Sequence, residues 1–331
     1  RPDNWRLGAK PAQKAFAAVA AAISQFEPVT VGVNPQQFAN ARRMLPPQVR
    51  VVELSNNDAW MRDCGPTFVI NDQGETRGVH WRFNAWGGLV NGLYFPWDLD
   101  AAVAQKVLEI ERLDRYQAPL VLEGGSIHVD GQGCCITTEE CLLDEGRNPK
   151  LTKDAIEDYL KIYLNVEKVL WIPRGVAHDE TRGHVDNLAC FLRPGVIALT
   201  WTDDYSDPQY ERSAEAYEFL SRATDACGRA LQVYKIHQPN PIRIQPEEAE
   251  GVDIVEGTLP RQPGHRLPAS YINFYFCNGG AIVPTFNDPH DEAALATLQR
   301  LLPERQIIGV PGREILLGGG NIHCITQQQP E

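Results

Sequence analysis

Two stretches decide the architecture: LEGGSIHVD at 122–130 and LGGGNIHCI at 317–325. Both carry Gly-Gly-x-Ile-His, and each follows a short apolar run that reads as a strand. An echo between distant parts of one chain marks an internal repeat. Around it the same order of elements recurs five times. Candidate helices with a single apolar stripe lie at 11–26, 101–113, 151–164, 208–226 and 291–302. A short apolar strand follows each, near 30–34 together with 51–54, then at 119–123, 168–173, 231–236 and 306–311. A second strand region comes next, at 67–79, 126–138, 187–200, 273–285 and 321–326. Its turn cores, at 71–74, 130–133, 193–195 and 278–280, contain Asn, Asp and Gly, which tolerate the positive φ that hairpins require.

The unit is therefore helix, strand, hairpin, with a period of roughly 65 residues. That period is too long for a solenoid and suits blades set around an axis. The expected class is α/β with pseudo-fivefold symmetry, closed into one domain over 1–331. The Pro- and Glu-rich stretch 238–268 is expected to form a surface excursion. The fifth unit has only seven residues after Cys324, so its closure is expected to need pairing with another part of the chain.

Composition narrows the function. Hydrophobic residues make up 43% and charged residues 22% of 331, which excludes disordered and fibrous chains. The 43 acidic against 31 basic residues leave no excess of positive charge for phosphates, so a nucleic-acid partner is not expected and a small cation matches better. No apolar run is long enough to cross a bilayer, so no membrane partner is expected either. The eight cysteines show no C-x-x-C spacing, and Cys134 and Cys135 are adjacent. They read as reduced thiols of a cytoplasmic protein. The opening RPDNWRLGAK has no apolar signal region, although a chain that starts at Arg1 leaves any upstream address signal unread. Compact metal-ligand pairs are also missing, so no metal is expected.

Reactive side chains gather at the boundary between first strand and hairpin in four of the five units. They are Asp63 in WMRDCGP, Glu123 in LEGGS, His184 and Asp186 in RGHVDN, and Cys324 in GGNIHC. In a cyclic arrangement those boundaries converge. Cysteine beside histidine attacks an electrophilic carbon, the thiolate as nucleophile and the imidazole managing protons. Several carboxylates around that pair make sense when the substrate is a cation, because a planar guanidinium offers donors that carboxylates grip in bidentate fashion. Taken singly, each residue has a plainer reading: Cys324 as a buried small hydrophobe, Asp63 as a partner of Arg62, Asp186 as a turn cap. The other seven cysteines keep the structural reading. So do His128 and His323, which strand alternation turns away from their neighbours' face.

The motifs WMRDCGPTF, FNAWGG, LEGGSIHVDG, RGHVDN, WTDDYSDPQYERS, SYINFYF and GGGNIHCITQQQP resemble the agmatine deiminase (agmatine iminohydrolase) family of the pentein superfamily, along the whole chain. The resemblance implies a five-bladed α/β propeller, and hydrolysis of agmatine to N-carbamoylputrescine and ammonia without a cofactor. It makes Cys324 the nucleophile, Asp63 and Asp186 the guanidinium partners, and His184, oriented by Glu123, the proton carrier. It also implies a thiouronium intermediate, a Trp60 wall for the aliphatic tail and a possible homodimer. Glu180, in the loop before His184, is the candidate for the remote amine. Asn84–Gly88, with two glycines, is expected as a flexible rim. Rival readings are deimination of arginine or peptidyl-arginine, with Arg174 or Arg182 holding the carboxylate, amidino transfer to an amine, and a non-catalytic binding module.

Overall fold

The computed structural model describes residues 1–256 and 258–330. Among them the strands form five separate small sheets. Four share one plan: an antiparallel hairpin, a helix, then a third strand added parallel to the second. Thr67–Ile70 and Thr76–Arg82 form the first such hairpin, and Arg115–Val121 joins it after the helix Val103–Glu111. Ile127–Val129 and Cys134–Thr138 are joined by Lys168–Ile172 after the helix Lys153–Leu164. Ala189–Arg193 and Val196–Trp201 are joined by Gln232–His237 after Pro208–Arg222. Tyr275–Cys277 and Gly280–Thr285 are joined by Gln306–Pro311 after Asp291–Leu301. The remaining sheet holds the parallel strands Thr30–Val33 and Arg50–Glu53, with the helix Phe38–Met44 between them.

Local chemistry explains these boundaries. Thr152 starts the Lys153–Leu164 helix by accepting from the Ala155 N–H, and Asn165 ends it at φ 53°. Ile156 and Leu160, one turn apart, are fully buried on its inner face. Burial of such side chains contributes about 1.5–3 kcal/mol each. On the neighbouring sheet Gly78 faces Leu108 so closely that a Cβ would stand 2.3 Å from Leu108 Cδ2. Glycine in mid-strand is what lets the helix Val103–Glu111, which carries Leu108, settle.

All five expected helices are present, with ends shifted by a few residues. Two strand expectations need correction. The strand expected at 119–123 runs Arg115–Val121, which leaves Glu123 in the following loop. The strand expected at 321–326 is a tight turn, with Ile325 N–H donating to Asn321 O at 3.3 Å. Asn321, Ile322, His323 and Cys324 in succession are all buried there, so strand alternation has no meaning. No described helix is long and apolar enough to cross a membrane.

Candidate active site

Each sheet's last strand runs into a loop, and all five loops send a side chain to one place. Asp63 stands in the one-turn helix Met61–Cys64, Glu123 just before the 3-10 turn Gly124–Ser126, and His184 just before Val185–Asn187, which contains Asp186. Cys324 lies in the turn after Gln306–Pro311. The fourth loop supplies Asn273, which sequence reasoning missed. All six side chains are buried.

Gly125 marks their meeting point. A Cβ there would stand 2.6 Å from His184 Nδ1, 2.9 Å from Asp63 Oδ1 and 3.0 Å from Asp186 Oδ2. Cys324 Sγ is 3.5 Å from Asp186 Oδ2. Asp63 is fixed on both oxygens: Gly125 N–H donates to Oδ1 and Trp86 Nε1–H to Oδ2, each at 2.9 Å. Asp186 Oδ2 meets His323 Nδ1 at 2.8 Å, while its buried Oδ1 has no partner. His184 Nε2 lies 3.3 Å from Glu123 Oε2, and Arg147 Nε donates to both Glu123 oxygens at 3.2 and 3.0 Å.

Charges in this dry space control one another. Burial alone would lower the His184 pKa, but Asp63, Cys141 and Glu123 outweigh it and hold the imidazole well above its ordinary value. Burial would raise Glu123, yet Arg147 and His184 bring it down to about 2. Burial lifts Asp63 to about 6, with Asp186 and Glu123 adding to the rise against the pull of His184. Burial, then the carboxylates of Asp186 and Asp63, push the Cys324 thiol well up. Without a cation the site therefore holds a thiol, an imidazolium and an excess of carboxylate. A positive ligand between Asp63 and Asp186 would offset the carboxylates and favour ionisation of the thiol.

The cavity above Cys324 is small, about 30 Å³, and is lined by Trp60, Trp86, Leu93, Glu180 and Gly318–Gly320, among others. Trp60 is buried and stacks on Trp5, ring centres 5.4 Å apart. Glu180 does reach this cavity, where its Oε1 is paired with Arg261. Arg261 belongs to the stretch expected as a surface excursion, and the structure turns that arginine inward instead. The expected flexible rim is corrected too. Ala85 and Trp86 are buried at φ 54° and 63°, and the Trp86 indole is tied to Asp63. His323 and Cys141, given only structural roles, touch the site: His323 at Asp186, and Cys141 within 4.8 Å of His184 and Glu123. Among the described residues that last trio is the one set spaced like metal ligands. The Arg147 guanidinium already on Glu123 opposes a cation there.

The chain can now be set beside known proteins. The family model described as Porphyromonas-type peptidyl-arginine deiminase matches residues 1–330. The curated agmatine deiminase of Pseudomonas aeruginosa is 59% identical over 332 residues, covering 100% of this chain and 90% of its own length. Among solved structures, the agmatine deiminase of Enterococcus faecalis is 56% identical with a TM-score of 0.97, covering 100% of this chain and 91% of that one. A cysteine-to-serine agmatine deiminase of C. jejuni with substrate bound is 28% identical with a TM-score of 0.83, covering 98% of this chain and 89% of that one. With likeness of this depth along its whole length, this chain belongs to the agmatine deiminases, enzymes of the pentein superfamily.

Proposed function

We propose that this enzyme hydrolyses agmatine to N-carbamoylputrescine and ammonia through a covalent adduct on Cys324, a step that feeds putrescine synthesis. The observation that carries the reading is the meeting of one imidazole and two carboxylates at Gly125, His184, Asp63 and Asp186, with the Cys324 thiol 3.5 Å from Asp186 and the third carboxylate, Glu123, 3.3 Å from His184. The five sheets then act as blades of one propeller over 1–331, with the site at the end where their loops meet.

Agmatine's guanidinium fits between Asp63 and the unpartnered Oδ1 of Asp186. Its positive charge offsets the carboxylates that hold the thiol protonated, so the thiol gives its proton to bulk water as substrate enters and the thiolate forms. Sulfur attacks the guanidinium carbon, and His184, already an imidazolium, gives its proton to the departing ammonia. Neutral His184 then takes a proton from water, whose oxygen adds to the thiouronium carbon. Collapse expels the thiolate, and the proton left on the added oxygen passes to water, which leaves the neutral ureido product and His184 again protonated. Glu123 and Arg147 hold the imidazole ring for both transfers. The tail lies along Trp60 toward Glu180, whose Oε2 lies 2.8 Å from where a Cβ on Gly319 would stand.

The description of the matching family favours peptidyl-arginine as a second reading. Against it, Arg174 is paired with Glu215, and Arg182 with Asp144, so neither is free for a substrate carboxylate. Ammonia release from agmatine, arginine and a blocked arginine peptide at equal concentration separates the readings, and agmatine is expected to dominate. Mass spectrometry of enzyme quenched during agmatine turnover should find the adduct on the Cys324 peptide, and Cys324→Ser should release no ammonia. Persistent turnover by that variant would remove the covalent mechanism.

A further inference from the structure

Four of the five converging loops bring an ionisable group to the site, and the fifth brings a neutral amide. Asn273 lies in the loop before Tyr275–Cys277, and its side chain is wholly buried against the reacting sulfur. Its Nδ2 is 3.3 Å from Cys324 Sγ. The orientation of that amide is fixed from two sides. Oδ1 accepts from the His323 main-chain N–H at 3.0 Å, and Nδ2 donates to Asn187 Oδ1 at 3.0 Å. One Nδ2 hydrogen is thus engaged by Asn187, and the other is left for sulfur. The main-chain carbonyl of Asn273 accepts from the same His323 N–H at 3.2 Å, which locks the loop to the turn that carries Cys324.

The other side-chain oxygens at sulfur are unfavourable to an anion, since Asp186 Oδ2 and the Oδ1 of Asn273 itself each stand 3.5 Å away, which leaves Nδ2 as the amide's closer atom. A thiolate needs donors, because an anion buried without them is costly. We propose that Asn273 is a catalytic residue whose side-chain amide donates to the Cys324 thiolate and aims it at the guanidinium carbon. This rests on the thiolate mechanism above and adds the residue that holds the nucleophile. Asn187 acts one step further out, as the positioning residue that keeps the amide turned toward sulfur. The Val185–Asn187 turn then serves both reactants, with Asp186 on the substrate and Asn187 behind the nucleophile.

The test titrates the thiol without any turnover. Cys227 is the exposed cysteine, so the full chain carrying Cys227→Ser is the background. In it, Asn273→Asp keeps the shape and removes the donor, while Asn273→Ser shortens the side chain. Alkylation of Cys324 by iodoacetamide, located by peptide mass spectrometry, is followed against pH together with thiolate absorbance. Both variants should move the thiol midpoint upward by about one pH unit or more, a tenfold loss of thiolate at a given pH. Turnover of agmatine should fall by about 30-fold or more in kcat, with KM changed less than about threefold. An unmoved midpoint in folded variants, or a rise in KM alone, overturns the proposal. If neither variant folds, the side-chain amide proton resonances of Asn273 decide, compared between the background chain and the same chain with Cys324→Ala. One of the two must shift when sulfur is removed, and unshifted resonances overturn the proposal. A background enzyme that releases no ammonia from agmatine would instead defeat the underlying function, whatever the thiol titration gives.

Discussion

At the scale of single residues, Gly125 carries the most consequence. Its backbone is not in the left-handed region, so alanine meets no conformational objection, yet the added methyl would fall among His184, Asp63 and Asp186. Gly125→Ala should cost about 100-fold or more in kcat/KM, because displacements of an ångström at reacting groups carry penalties of that order. Activity near that of the parent would mean the three side chains can all retreat. Asp63 sets a second expectation. In the proposed mechanism its carboxyl, raised to about 6, must be ionised to bind the guanidinium, so kcat/KM should fall as pH drops through about 6. The raised His184 should hold the alkaline limb well above the ordinary histidine value. A pH profile checks both limbs, and Asp63→Asn should erase the acidic one. Cys324, His184, Glu123, Asp186 and Asp63 could be picked from sequence because their side chains are reactive and recur at equivalent boundaries. Asn273, Trp86 and Arg147 could not, since an amide, an indole and an arginine are ordinary anywhere until distances show what they touch.

Between residue and whole lies the element, and here the Glu123–Arg147 pair joins a sheet's exit loop to the segment after the one-turn helix Glu139–Leu142. Both side chains are fully buried. Removing one partner leaves a charge without compensation, so Arg147→Ala should lower stability by about 3–5 kcal/mol, read from a urea midpoint. A loss under about 1 kcal/mol would mean that water enters the gap. The acid dependence has a definite sign. The folded pKa of Glu123, about 2, lies below its ordinary value of 4.5. The stability it contributes is thus full above about 4.5 and is lost as pH falls from there toward 2. Long elements were legible because amphipathic periodicity survives in them. The helices Met61–Cys64 and Glu139–Leu142 carry too few turns to show a stripe, and the turn at 321–326 imitates an apolar strand. Glu248, within the stretch 238–268 expected as a surface excursion, is buried against Arg313, a pairing that lies between segments far apart in the chain.

For the whole molecule, the site has no single owner, since all five sheets' exit loops must be in register for it to exist. Local openings of any one sheet, which need less free energy than global unfolding, should therefore silence it. In rising urea, ammonia release is expected to fail before far-UV circular dichroism changes. Coincident curves would show the sheets opening together or not at all. The repeat was readable from the sequence because Gly-Gly-x-Ile-His recurs, but the fifth contribution was not, because no ionisable residue stands at that position.

The run Gly318–Gly320 has a practical sequel for anyone who would redirect this catalyst to bulkier guanidines. Added carbons at these three positions would press into Trp5, Glu180 and Trp60 in turn, the last beside Cys324 as well. That side of the cavity admits no new recognition group. Laboratory evolution would have to work on other lining side chains, such as Leu93 and Leu259, where exchange for a smaller residue enlarges the space without touching the proposed nucleophile.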